Sequence, residues 1–382
     1  AHRDEILNQT REVYRRVQPG AKISKFVGGS HDKEGNIVIA SVQSLALHLS
    51  SFDPHEFDYI IIDEFHHAAA KSYRKVISHF QPKFLLGLTA TPNRTDAADL
   101  LVLCGDNLVY ECNLIRGINL SLLSDFHYRA IKDVADYEHI PWSKGKFNEA
   151  LLSAALETEQ RAQQVYDEWS KLDGHVRRTL AFCCSIAHAE YMSKYFADNG
   201  VAALAIHSGS STNDRLTAIE KLADGSLQVL FSVDLFNEGL DVPAVDIVLM
   251  LRPTESPIIF FQQLGRGLRK SDGKEHLDVL DLIGNHKSFL MKARLLAGFD
   301  GDSVNSHQAA IKKISEPMSA LPDGCSIIVD LEAINLLEKI AGGPTVADQL
   351  DQLIQEWKEI HDDVRPTATE ISLVTGKSLE LK

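Results

Sequence analysis

Adjacent acids, Asp63 and Glu64, close the run YIIIDEFHHAAA at residues 59–70, with His66 and His67 directly behind them. The run opens with residues suited to a buried strand and ends in four ionisable side chains where that strand must stop. Two neighbouring carboxylates can divide the work of nucleotide hydrolysis: one holds Mg²⁺ through oxygen, the other orients or deprotonates the attacking water. The same pair is equally suited to opening a helix, with Asp63 as the cap and Glu64 favouring the positive end. The following apolar run, FLLGLTATPNR, ends in Thr89 and Thr91, two hydroxyls at the same kind of strand end. Further along, FFQQLGRGLR at 260–269 sets Arg266 and Arg269 three residues apart. On a helix their guanidinium groups share one face and can reach one anion; the plainer alternative is a surface helix with two solvated arginines.

The elements that must position these groups are legible as apolar, β-rich runs. KISKFV, NIVIAS, YIIID and FLLGLT come first, then TLAFCC, VAALAI, QVLFSV, DIVLML and LDVLDL, with helical stretches between them. This alternation predicts an α/β fold of parallel strands with crossover helices. Near-continuous apolar runs predict sheets covered on both faces, so both halves read as doubly wound. Ligands of such sheets bind at the carboxyl ends of strands, where Asp63 and Glu64 fall. The pattern weakens over 111–158, where HIPWSKGKFNEA carries Pro, Gly and Lys, and this stretch is expected to be an inter-domain connection. The expected domains are 1–110 and 159–300, followed by a small, mostly helical C-terminal extension, 301–382.

A length of 382 residues is too great for one ordinary core. Hydrophobic residues make up 44% and charged residues 24%, which suits a globular chain, and no apolar run approaches a membrane span. A cytoplasmic, membrane-free protein is expected. The five cysteines have no metal-ligand spacing and read as reduced thiols. A net charge of −14 argues against indiscriminate coating of nucleic acid, which rests on many phosphate contacts, and leaves room for a local basic groove.

DEFH followed by TATP resembles motifs II and III of superfamily 2 helicases, in the DEAD/DEAH-like branch that includes type III restriction-enzyme motor subunits. FSVDLFNEGLDVPAVDIVLMLRPT (231–254) resembles motif V, and the Q-x-x-G-R-x-x-R pattern of 260–269 resembles motif VI. TLAFCCSIAHAEYM resembles motif IV, IASVQSL motif Ib and AHRDEIL motif Ia. The resemblance covers about residues 1–285 and implies two RecA-like lobes with ATP and Mg²⁺ between them. It makes Asp63 the Mg²⁺-holding acid, Glu64 the catalytic acid, and Arg266 and Arg269 arginine fingers. His66 becomes a coupling residue touching the region of Thr89 and Thr91. Gln262, Gly239 and Asp241 fall near the nucleotide, while His2, Arg3, Ser41, Gln43, Ser185 and Ser208 fall along the nucleic-acid track. For these track residues a helix cap or a solvated side chain is an equally good reading. His67 matches no family role.

One departure is plain. The G-x-x-x-x-G-K-[ST] loop that cradles phosphates precedes motif Ia in this family, and the chain starts at Ia with Ala rather than Met, so the first lobe is expected to be truncated. The sole G-K-S, Gly376-Lys377-Ser378, has Ile371 where the first glycine belongs. Glu356-Trp357-Lys358 matches part of a nuclease signature, but Leu353, Trp357 and Ile360 form a packing stripe, so a nuclease or specificity domain is expected only elsewhere in the parent protein. The reading is an ATP-driven helicase or translocase core, inactive alone, acting on duplex DNA sooner than RNA. The competing readings are a binding module without catalysis and an RNA helicase.

Overall fold

The computed structural model describes residues 4–89, 101–143, 145–234, 245–254, 256–298, 304–316 and 321–342, with 354, 357, 366 and 367. They form two compact units. The first runs through Leu123 and includes the later segment Ser256–Arg269.

In this first unit α1 (Asp4–Val17) lays Leu7 against Val27 and Ile39 of a small sheet. That sheet is ordered β2 (Ser30–His31), β1 (Ile23–Val27), β3 (Ile37–Ala40), with β1 and β3 parallel, Ile23 opposite Ile37. Helix α2 (Val42–Leu47) follows, then β4 (Tyr59–Ile62), α3 (Lys71–His79) and β5 (Phe84–Gly87). β4 and β5 are parallel with Tyr59 opposite Phe84. Phe26, Phe52, Ile62, Phe65, Tyr73, Val76 and Phe80 fill the core beneath them. α4 (Leu114–Asn119) ends the contiguous part, capped by the Asn113 side chain.

The second unit is built on one seven-stranded, all-parallel sheet. The unit's elements in chain order begin with β6 (Asp125–Lys132), a separate antiparallel pair β7 (Trp142–Ser143) and β8 (Lys146–Phe147), helices α5 (Glu149–Leu156) and α6 (Glu159–Ser170), and β9 (Thr179–Phe182). α7 (Ile186–Asp198), β10 (Ala203–Ile206), α8 (Thr212–Ala223), β11 (Val229–Ser232) and β12 (Ile247–Met250) follow. α9 (Pro257–Gly267), grouped with the first unit, precedes β13 (His276–Ile283), α10 (Leu290–Ala297), α11 (Val304–Ser315), β14 (Ser326–Val329) and α12 (Leu331–Ile340). Spatial order is β10-β11-β9-β12-β13-β6-β14. β9, β11 and β12 are buried at every position, as a sheet covered on both faces demands.

All nine expected runs are strands. Besides the two-residue strands β2, β7 and β8, two further strands, both in the large sheet, came from stretches read otherwise. Within 111–158, expected to be a connection, Asp125–Lys132 forms β6, paired along its length with β13 from Asp125 opposite His276 to Lys132 opposite Ile283. Its buried residues Phe126, Tyr128 and Ala130 alternate with polar ones, a half-buried pattern unlike the continuous runs. Within 301–382, expected to be a helical extension, β14 adds to β6 at the sheet edge. No helix among the described residues is long and apolar enough to cross a membrane.

Candidate active site

β4 delivers Asp63 and Glu64 to its carboxyl end. The acids do not open a helix: α3 starts at Lys71, and between them lies a single 3₁₀ turn, Phe65–His67. Instead Asp63 Oδ1 accepts the Glu64 N–H at 2.9 Å, leaving the exposed carboxylate's other oxygen without a partner among the described residues. Glu64 stands at φ 53°, ψ 49°, in the left-handed region that non-glycine residues avoid. The turn is fastened to the neighbouring strand, since the Phe65 N–H donates to Leu88 O at 2.8 Å and the Leu88 N–H to Ile62 O at 2.9 Å. Phe65 lies over Gly87, where a Cβ would stand 2.6 Å from its ring.

His66, 2% exposed, joins both strand ends. Its Nδ1 is 3.2 Å from Glu64 Oε2 and 3.4 Å from Thr89 Oγ1. Three sequence-predicted residues, Glu64, His66 and Thr89, are thus one contact chain, while His67 packs its ring 4.2 Å from that of His66. An Asp63 carboxylate with a free oxygen fits an oxygen-seeking Mg²⁺, and Glu64, steadied by an imidazole, fits a water-orienting role.

α9 carries Gln262 and Arg266, both buried. Gln262 Nε2 is buried without a hydrogen-bond partner among the described residues, an arrangement that costs about 1–3 kcal/mol unless something accepts from it. The expectation that Arg266 and Arg269 share one helical face needs correcting. The helix ends at Gly267 with Leu268 as its cap, so Arg269 lies past it and its direction is set by the following chain. Burial lowers the Arg269 pKa from its ordinary value, yet a guanidinium stays charged.

The hydroxyls expected along the nucleic-acid track are partly spent on local structure. Ser41 caps α2, accepting the Ser44 N–H at 3.2 Å. Ser185 caps α7, accepting the His188 N–H at 3.0 Å, and is 7% exposed and bonded to the Ser153 hydroxyl. Gln43 and Ser208 are exposed, and Ser208 O accepts from Arg215 Nη2 at 3.1 Å. His2, Arg3, Thr91, Gly239 and Asp241 lie outside the described residues.

A buried polar network in the second unit escaped the sequence reading. Arg161, fully buried, donates through Nε to both Asp133 oxygens at 3.0 Å and through Nη2 to Leu251 O at 2.9 Å, while Nη1 is 3.1 Å from His188 Nε2. It ties the carboxyl ends of β6 and β12 to α6 and α7. The signal was present: Arg161, Val165 and Trp169 recur at four-residue spacing on one helical stripe, so the arginine had to be buried and partnered. Cys184 Sγ lies 3.4 Å from His188 Nδ1 without forming a nucleophilic pair, because burial pushes the thiol up to about 11 and holds the imidazole well below its usual range.

Two family models match the chain: "Type III restriction enzyme, res subunit" over residues 1–94 and "Helicase conserved C-terminal domain" over 157–271. The Saccharomyces cerevisiae protein IRC3, which carries the name of an ATP-dependent helicase, is 28% identical over 324 residues, 82% of this chain and 47% of its own. The Schizosaccharomyces pombe protein irc3, named as a mitochondrial ATP-dependent helicase, is 28% identical over 315 residues, 80% of this chain and 52% of its own. The chain therefore spans about half the length of these curated relatives. Among solved structures, a fragment assigned as an HsdR subunit of a type I restriction enzyme from Vibrio vulnificus YJ016 matches with TM-score 0.57 and 23% identity, covering 81% of this chain and 54% of that one. At that identity the likeness concerns the fold, which is RecA-like in both.

Proposed function

We propose, for a chain that belongs to the superfamily 2 helicases of the restriction-enzyme-motor type, that it forms the core of an ATP-driven helicase or translocase acting on nucleic acid. The observation that carries the reading is the contact chain Glu64–His66–Thr89 at the ends of two adjacent strands. It links a carboxylate suited to water activation to the segment after the next strand.

Mg-ATP, when bound, supplies the phosphoanhydride to be cleaved. Asp63 offers a carboxylate oxygen to the cation, and Glu64 orients the attacking water and takes its proton, its carboxylate held by His66. Arg266 and Arg269 offer charge to the anionic oxygens, and Gln262 has a buried amide hydrogen to give. Gly239 and Asp241 are assigned beside the nucleotide, and His2, Arg3, Gln43 and Ser208 along the strand. A change at Glu64 reaches Thr89 through one imidazole, which is how phosphate state would bias the grip on nucleic acid, and Thr91 is assigned to the same coupling. Duplex DNA is the proposed substrate, with any nuclease or specificity domain outside this chain.

A second reading is a nucleic-acid-binding module without turnover. ATP hydrolysis by the intact protein decides between them. Stimulation by duplex DNA is the expected result. Stimulation by RNA alone would replace the substrate, and absence of turnover with every nucleic acid would favour the binding module.

A further inference from the structure

The geometry points to a binding site for a borderline transition ion such as Zn²⁺ at the amino ends of β6 and β13. His127, His276 and Asp278 each present a ligand atom there, all within 4.8 Å of one another. Register brings them together. Asp278 on β13 lies directly opposite His127 on β6, and His276, two residues earlier, falls on the same face. His127 Nδ1 is 3.5 Å from Asp278 Oδ1, His276 Nε2 is 3.1 Å from Asp278 Oδ2, and the two rings lie 4.2 Å apart at 35°.

Ligand atoms around a tetrahedral zinc with bonds of about 2.1 Å sit about 3.4 Å apart, so modest side-chain rotations complete the set. Two imidazoles and one carboxylate select zinc-like ions over Mg²⁺ or Ca²⁺, which favour oxygen. The imidazoles are 43% and 28% exposed and Asp278 is 10% exposed, which leaves an entry path and room for a water as fourth ligand.

Arg177 bears on the site directly. Its Nη1 donates to Asp278 Oδ2, fixing the carboxylate as an outer-shell donor would, while also donating to Leu172 O at 3.2 Å. Its charge opposes the incoming cation, so the histidines must supply most of the affinity. The plainer alternative is an ion-pair cluster that holds the strands together with no metal.

Zinc competition against a chromogenic chelator separates the two, using the intact protein and its His127→Gln, His276→Gln and doubly substituted forms. Both histidines are partly exposed, and replacing them leaves Arg177 and Asp278 themselves in place. Each single change is expected to weaken one zinc site by about tenfold or more. The double change should remove one equivalent of zinc and the rise in Tm that zinc, and not Mg²⁺, gives the parent. Equal zinc stoichiometry and affinity in the double variant and the parent would leave an ion-pair cluster only and overturn the assignment. The readout does not involve ATP turnover, so it stands apart from the proposed motor activity.

Discussion

Glu64 is held in the left-handed backbone region, at a cost of order 1–3 kcal/mol for a residue with a Cβ. Such strain persists only where the surroundings over-determine it, and here Phe65, bonded to Leu88, does so on the neighbouring strand's terms. The result turns the Glu64 carboxylate back onto His66. If that carboxylate takes the proton from water, Glu64→Gln in the intact protein should lower ATP turnover by roughly 10²–10⁴-fold while ATP binding remains. Single-turnover hydrolysis together with equilibrium nucleotide binding measures both, and turnover unchanged by the substitution removes Glu64 from the chemistry.

At the scale of elements, the turn that carries Asp63 and Glu64 depends on close approach of β4 and β5. Gly87 is the point of contact, and an alanine methyl there would press on the Phe65 ring from 2.6 Å. Gly87→Ala should destabilise by about 1–3 kcal/mol, as overpacking does in a filled core. Gly265, within α9, has nothing within 4 Å of a built Cβ, so Gly265→Ala should be neutral or stabilise by about 0.5–1 kcal/mol through helix propensity. Denaturant midpoints of the two variants check this, and equal effects would mean that the Phe65 contact does not limit the turn.

At the scale of the whole molecule, stability depends on how buried polar groups are reconciled. Removing one partner of a buried ion pair costs about 3–5 kcal/mol, so Arg161 and Asp133 stand or fall together. His188 adds a pH dependence. Burial, with the Arg161 charge beside it, keeps the folded imidazole neutral well below its ordinary pKa of 6.5, whereas the unfolded chain takes up a proton below about pH 6.5. The unfolded state therefore binds more protons as pH falls from 7 to 5, and stability declines over that window. His188→Gln should flatten the decline whatever its effect at pH 7. Unfolding free energies measured from pH 5 to 8 test this, an unchanged slope being the contrary result.

What the sequence determined by itself was local. Nine apolar runs had to be strands, though only β9, β11 and β12 among them are buried at every position while Tyr59, Ile61 and Phe84 of β4 and β5 stay exposed, and acids or hydroxyls directly after such runs had to stand at carboxyl ends, because chain direction alone sets which end follows. The spacing of DEFH, TATP and Q-x-x-G-R-x-x-R was likewise readable before any fold was known. Tertiary structure decided what depends on partners far along the chain. β6 joined the large sheet because β13 offered a register for Phe126 and Tyr128 to bury against, and β14 because β6 then offered its other edge, neither of which an alternating or four-residue run can announce. Arg269 fell beyond α9 because the helix stopped at Gly267. Ser41 and Ser185 turned their hydroxyls inward because helix starts left N–H groups to satisfy. His127 meets His276 and Asp278, about 150 residues further along the chain, only because pairing is fixed by long-range register.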